Sequence, residues 1–288
     1  MPEFEVRPIA AADLHTPFDW ARNEGWNPGL HDQTPFTLVD PQGFIGGYLN
    51  DELVATVSAV RYDQHFGFIG FYIVALAHRG KGYGLQVWNA GVNHLKDLPC
   101  VGLDGVLAQT ENYQKSGFTF AHKNCRYEGQ AQQLQASNDE RSTNEYVQPL
   151  SDVPFETLAK FDAQHFPTDR ASFLQSWVTQ TGHRGLAIMR GDEMCAYGVI
   201  RTCSLGHKIG PLFAQTEAQA RSLIAALCSP LDPKDPVYLD PPATHLAAIH
   251  LAQSLGMEMV FETARMYKGQ APNLPIEQVY GITSFELG

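Results

Sequence analysis

The chain has 288 residues, 44% hydrophobic and 18% charged, the composition of a folded globular protein of about two domains and not of a disordered one. Its formal charge of −11, from 20 Lys and Arg against 31 Asp and Glu, argues against a nucleic-acid partner, because neutralising phosphates needs a basic face. Without a run of about 20 apolar residues or a basic, apolar leader after Met1, neither a membrane partner nor secretion is expected, and the location expected is cytoplasmic.

Five cysteines, Cys100, Cys125, Cys195, Cys203 and Cys228, are odd in number, widely spaced and free of any C-x-x-C pair, so buried thiols are expected. Cys203 and His207 have a metal-like spacing but no second pair, and no metal is expected.

In chain order, Phe4 to Ile9 alternates like a strand, and Asp13-Leu14 opens a helix with Leu14, Phe18 and Ala21 on one face. Gly43 to Asp63 reads as a hairpin turning at Asn50-Asp51. An apolar strand from Phe66 to Ala77 then meets a basic, glycine-rich turn, Arg79 to Gly84, and a helix from Leu85 to Leu98 with Leu85, Trp88, Val92 and Leu95 on one face.

That turn is the chemical centre of the sequence. Gly80, Gly82 and Gly84 have no Cβ to oppose positive φ or close approach, so main-chain N–H groups can converge at a helix N-terminus, with Arg79 and Lys81 adding charge. A phosphate or pyrophosphate is the natural guest. It is not a Walker loop, since Leu85 follows Gly84, nor does G-x-G-x-G this far into the chain fit the dinucleotide fingerprint.

Further on, Val101 to Asp104 is a short strand, Thr110 to Ser116 a short helix bearing Tyr113, and Phe118 to Tyr127 a strand. Residues 131–145, poor in apolar side chains, read as a linker between domains at 1–130 and 146–288. The second domain repeats the first: Val237-Tyr-Leu-Asp240 answers Val101-Gly-Leu-Asp104, Gly256 answers Gly117, Arg265 answers Arg126, and the tails at 267–271 and 127–131 correspond. In it, Asp169 to Gln180 reads as a helix with Phe173 and Trp177 a turn apart, Ala187 to Arg201 as a hairpin, Thr216 and Thr244 as helix caps, and Val279 to Phe285 as a closing strand. Opposite the glycine loop, Ile209-Gly-Pro-Leu-Phe-Ala has one glycine, a proline without an N–H and no arginine; opposite Tyr113 stands Ala252. This copy lacks the means to cradle pyrophosphate.

The strand valine Val74, Arg79, Gly82 and Gly84, together with Tyr113 four residues before Gly117-Phe118, resemble the acyl-CoA loop and tyrosine helix of the GNAT acetyltransferases. Ile209 to Ala214 and Glu262 to Tyr267 resemble the C-terminal halves of tandem-GNAT bacterial proteins. The resemblance implies an α/β (α+β) fold of two GNAT-like domains, each a mixed, mostly antiparallel twisted sheet flanked by helices. It implies acetyl-CoA as co-substrate, held by Ile73, Val74, Ala75, Arg79, Gly80, Lys81, Gly82, Tyr83 and Gly84, with Tyr113 protonating the departing thiolate.

The implied reaction is direct N-acetylation of a small-molecule primary amine in a ternary complex, since no cysteine stands beside the loop or Tyr113. A peptide or protein N-terminus is the rival acceptor, and a CoA-responsive module without turnover the rival function. A homodimer is compatible with all three. The base stays open among His65, Asp104, Glu111 and His122; Trp26, Phe71 and Tyr72 are candidates for an acceptor pocket, and Asp162, His165 and Asp169 for a cleft between the domains.

Overall fold

The computed structural model describes residues 3–135 and 142–288. The first half runs β1 (Phe4–Pro8), α1 (Thr16–Asn23), α2 (Gln33–Val39), β2 (Phe44–Leu49), β3 (Glu52–Arg61), β4 (Phe66–Val74), α3 (Tyr83–His94), β5 (Cys100–Val106), α4 (Thr110–Lys115), β6 (Thr119–Gln130) and α5 (Ala131–Gln135). The second runs β7 (Tyr146–Pro149), α6 (Phe155–Asp162), α7 (Ala171–Thr179), β8 (His183–Arg190), β9 (Glu193–Thr202), β10 (His207–Ala214), α8 (Glu217–Cys228), β11 (Pro236–Leu239), α9 (Leu246–Ser254), β12 (Glu258–Gly269) and β13 (Val279–Gly281).

The strands join in one mixed sheet ordered β1-β2-β3-β4-β5-β12-β6-β11-β10-β9-β8-β7, with β13 on β10. Among the described residues, only β4–β5 and β10–β11 are parallel. At the centre the halves exchange strands: β12 lies between β5 and β6, and β6 lies between β12 and β11.

The repeated Asp and Arg positions explain the exchange. Arg126 on β6 makes two 2.8 Å bonds to Asp240, just past β11, while Arg265 on β12 reaches Asp104 on β5 at 2.9 and 2.5 Å. Each half's arginine therefore neutralises the other half's aspartate, and all four side chains are buried. A buried carboxylate without such a partner would be strongly disfavoured.

Local chemistry accounts for the elements that position the site. Asn50 and Asp51 take positive φ (49° and 64°), which closes the β2–β3 hairpin. Helix α3 buries Gly84, Val87, Trp88 and Gly91 against the sheet. Leu85, expected on that face, is 62% exposed: the helix begins at Tyr83, and the close approach at Gly84 and Gly91 turns Leu85 outward. Helix α2 was not anticipated; Phe36 stacks on Trp177 of α7 (5.8 Å between rings) and ties the halves together.

Thr216 does cap α8, in a reciprocal box with Gln219. Thr244 does not cap α9, whose N-cap position is His245 and has no side-chain cap. The closing strand is shorter than expected, Val279–Gly281, and the residues after it run on as a buried tail to Gly288. Within the expected linker, α5 buries Ala131 and Leu134 and packs against α8; residues 136–141 lie outside those described.

Candidate active site

Strands β4 and β5 pair only from Phe66 to Ile69 against Cys100 to Leu103. Beyond Ile69 they diverge. Phe71 has φ +44° and the β3–β4 register shifts between Thr56 and Ser58, a bulge braced by the Thr56 hydroxyl, which donates to the Phe71 carbonyl at 2.9 Å. The bulge bends β4 away from β5 and opens a wedge in the sheet.

The Ala75 N–H donates to Val54 O at 2.9 Å, which makes the 54/75 and 56/73 pairs the hydrogen-bonded ones. Alternation then turns Ile73 N–H towards β3 and Val74 N–H towards the wedge. The Val74 carbonyl points the same way and accepts from Arg79 Nε at 2.9 Å. Arg79 also donates to Glu24, so its guanidinium braces the end of β4 at the mouth of the wedge.

After a short 3-10 turn at Leu76–His78, Gly80 and Gly82 take φ of +75° and +85°. A Cβ at either would meet nothing within 4 Å, so it is backbone conformation that requires glycine there. Gly84 is different: its Cβ would fall 2.7 Å from Val74 Cγ2 and 2.8 Å from Tyr72 Oη. Gly82 caps α3 without any side-chain bond, and among the described residues the N–H groups of Gly80, Lys81, Gly82, Tyr83, Gly84 and Leu85 have no acceptor. The Tyr83 ring stacks on Phe4 at 4.5 Å.

The wedge contains a cavity of about 390 Å³. Of the residues expected to hold cofactor, Ile73, Val74 and Arg79 line it; Ala75, Lys81, Tyr83 and the three glycines lie beside its mouth. Tyr113 lines it too, 7% exposed, with its ring 5.2 Å from Trp88 and seated on Gly105, where a Cβ would come within 2.1 Å. Burial pushes the Tyr113 phenol well above its ordinary range, and the nearby Tyr72 adds to this. It is a proton holder, not a phenolate.

Trp26, Phe71 and Tyr72 also face this cavity. Of the candidate bases, Asp104 lines it but is committed to Arg265 and to Asn124. His65 and Glu111 are exposed, and His122, pushed down to about 4 mainly by burial, stands on β6 outside the cavity lining. The second-half candidates are structural. Asp162 is buried in bonds to Arg170 and Tyr197, His165 is wedged between Phe161 and Phe213, and Asp169 accepts from the Ala171 N–H. Cys203 is buried, His207 faces Asp235, and no metal-like cluster occurs among the described residues.

Sequence reasoning missed the contribution of the far end of the chain. Phe261 and Thr263 of β12 and Phe285 and Glu286 of the tail line the first half's cavity. The Glu286 carbonyl oxygen packs where a Cβ on Gly70 would be, 2.1 Å away, at the residue where β4 leaves β5.

Comparison with known proteins agrees with this geometry. Residues 9–118 match the profile described as the acetyltransferase (GNAT) family, and residues 158–281 that described as an acetyltransferase (GNAT) domain. Over 282 residues, 98% of this chain and 94% of the relative, the sequence is 33% identical to holothin acyltransferase of Pseudoalteromonas sp. (strain SANK 73390). A Pyrococcus horikoshii structure provisionally assigned as an acetyltransferase superposes with TM-score 0.81 at 20% identity, covering 99% of this chain and 96% of that one. A tandem GNAT protein from the clavulanic acid biosynthesis pathway does so with TM-score 0.66 at 12% identity, covering 94% and 100%.

Proposed function

Because the chain belongs to the GNAT acetyltransferase family and is an acyltransferase built from tandem GNAT domains, we propose that it moves an acetyl group from acetyl-CoA directly to a small primary amine, with cofactor and chemistry in the first half. The observation that carries this reading is the group of six N–H groups without acceptors, Gly80 to Leu85, at the start of α3 beside the open wedge. Such a set of amides at a helix N-terminus suits a pyrophosphate. The Val74 N–H, turned into the wedge, suits the pantetheine and the thioester carbonyl, whose oxygen gains charge under attack.

An ordinary ammonium gives up its proton at pH 7 at a cost of about 4.6 kcal/mol, so the site must supply a base or a dry environment. The departing thiolate needs a hydrogen-bond donor. Tyr113 holds its proton firmly, and since burial also makes a thiolate a stronger base than in water, the two effects act in opposite directions on the transfer. The cavity of about 390 Å³, walled by buried aromatic residues, favours a compact acceptor over a peptide.

The relative at 33% identity is named for holothin, which is therefore the first acceptor to try. Calorimetry with acetyl-CoA and thiol release with holothin and a panel of amines test the reading; absence of both binding and thiol release rejects it.

A further inference from the structure

Three acidic residues, Glu24, Asp104 and Glu286, are among those that line the cavity. Glu24 is bonded to Arg79 and Asp104 to Arg265. Glu286 differs: it is 2% exposed, and neither carboxylate oxygen has a hydrogen-bond partner among the described residues. Thr263 Oγ1, in the same cavity, is likewise buried and unpartnered. Buried carboxylates are ordinarily hydrogen-bonded, so this one suits a cation that donates to it directly, which no side chain among the described residues does.

Two buried cations interact electrostatically with Glu286 but donate no hydrogen bond to it. Arg126 is spent on Asp240 and the Trp26 carbonyl, and Lys208 on the carbonyls of Asn27 and Trp26. Trp26, Phe71, Phe261 and Phe285 form apolar walls around the same space. The Glu286 carboxylate is held in place by its tail: the Leu287 N–H donates to Ser284 Oγ at 3.0 Å, and Tyr62 Oη donates to the Leu287 carbonyl at 3.0 Å.

We propose that Glu286, supplied by the second half, anchors the acceptor's ammonium group and serves as its base, and that the acceptor is a primary amine carrying one positive charge on a flat, apolar body. This rests on the reading that the wedge holds the acyl thioester. One ammonium proton passes to the Glu286 carboxylate, and the freed lone pair forms the C–N bond to the thioester carbon as the C–S bond breaks. The sulfur takes a proton from Tyr113, the second nitrogen proton restores the phenol, and the proton on Glu286 leaves to water. Thr263 Oγ1 accepts a remaining N–H of the acceptor. The tandem arrangement then has a chemical purpose, since the half without a cofactor loop completes the site of the other.

The test compares wild type, Glu286→Gln and Glu286→Asp, using benzylamine and tryptamine as acceptors and spermidine as a polycationic control. Glu286→Gln should lower kcat/KM by roughly 100-fold or more, the range for a lost general base, while acetyl-CoA affinity by calorimetry stays within about twofold. Glu286→Asp should recover part of the loss, and benzylamine should bind the CoA-loaded wild type but not the Gln variant. Turnover by Glu286→Gln within about threefold of wild type, or preference for spermidine, overturns the proposal while leaving acetyl transfer standing. Absence of acetyl-CoA binding by wild type overturns the acetyl-transfer reading, and this proposal with it, through a separate measurement. A melting temperature for Glu286→Gln equal to or above wild type separates lost chemistry from lost folding.

Discussion

The two halves contain the same wedge, and they treat it differently. In the first, β4 leaves β5 after Ile69, and the space between them is a cavity. In the second, β10 leaves β11 after Ile209, and β13 lies along β10 at Leu212 and Phe213, filling the opening with the chain's own backbone. The turns that follow differ in the same sense. Residues 75–82 connect β4 to α3 and leave amides without acceptors, whereas only Gln215 and Thr216 connect β10 to α8, and the Thr216–Gln219 box satisfies amides at its start. In place of Tyr113, Ala252 of α9 is fully buried. At the places that correspond to the first half's cavity and turn, the second half has its own backbone against β10 and a side-chain cap on α8.

What the halves share should break first. Arg126→Met leaves Asp240 buried and unpaired and severs the bond to the Trp26 carbonyl, so it should destabilise the whole chain by about 3–5 kcal/mol, read as a lower denaturant midpoint in a single transition. What distinguishes them comes next. Tyr113→Phe should lower kcat by roughly 100-fold with acetyl-CoA affinity unchanged within about twofold, as thiol release and calorimetry would show.

The contact between the halves adds a pH test. Burial alone would raise Asp32, but the charge of Arg201, the bond and charge of His183 and the charge of Lys208 override it and bring the carboxyl down to about 2. A carboxyl lowered in the folded state contributes stability above its unfolded value, and that contribution is lost as pH falls from near 4 through about 2. Asp32→Asn should therefore be less stable at pH 6 and should lose about 2 kcal/mol less than wild type on acidification, measured by denaturant titration at both ends. The smallest effects sharpen the contrast between the turns. Gly82→Ala forces a side chain into φ +85° and should weaken acetyl-CoA binding severalfold at about 1 kcal/mol of strain, whereas Thr216→Ala should cost about 1 kcal/mol of stability and leave that binding untouched.

Contiguous features were legible in the sequence. Arg79 to Gly84 is a single run whose glycines announce their conformations, and the spacing of Tyr113 to Gly117 survives because one short helix and its turn enforce it. The repeat of Asp104 and Arg126 in Asp240 and Arg265 was also visible, but not that each arginine seeks the other half's aspartate. Two similar copies carry the same alternation in either pairing, and only the sheet order decides between them. Glu286 was hidden for a related reason. It lies one residue past the expected closing strand, Val279 to Phe285, and its place at the first half's cavity follows from a tail that packs on Gly70, far away in sequence.

The exchanged strands also bear on how this protein comes into being. The partner that β5 needs on its open edge is β12, and Arg265 stands 161 residues beyond Asp104. On the ribosome, an emerging first half holds its glycine loop and Tyr113 early but presents an unpaired strand edge until residue 269 has been made. A chain that stops before β12 would leave the edge of β5 without its native partner, a surface on which another strand can pair.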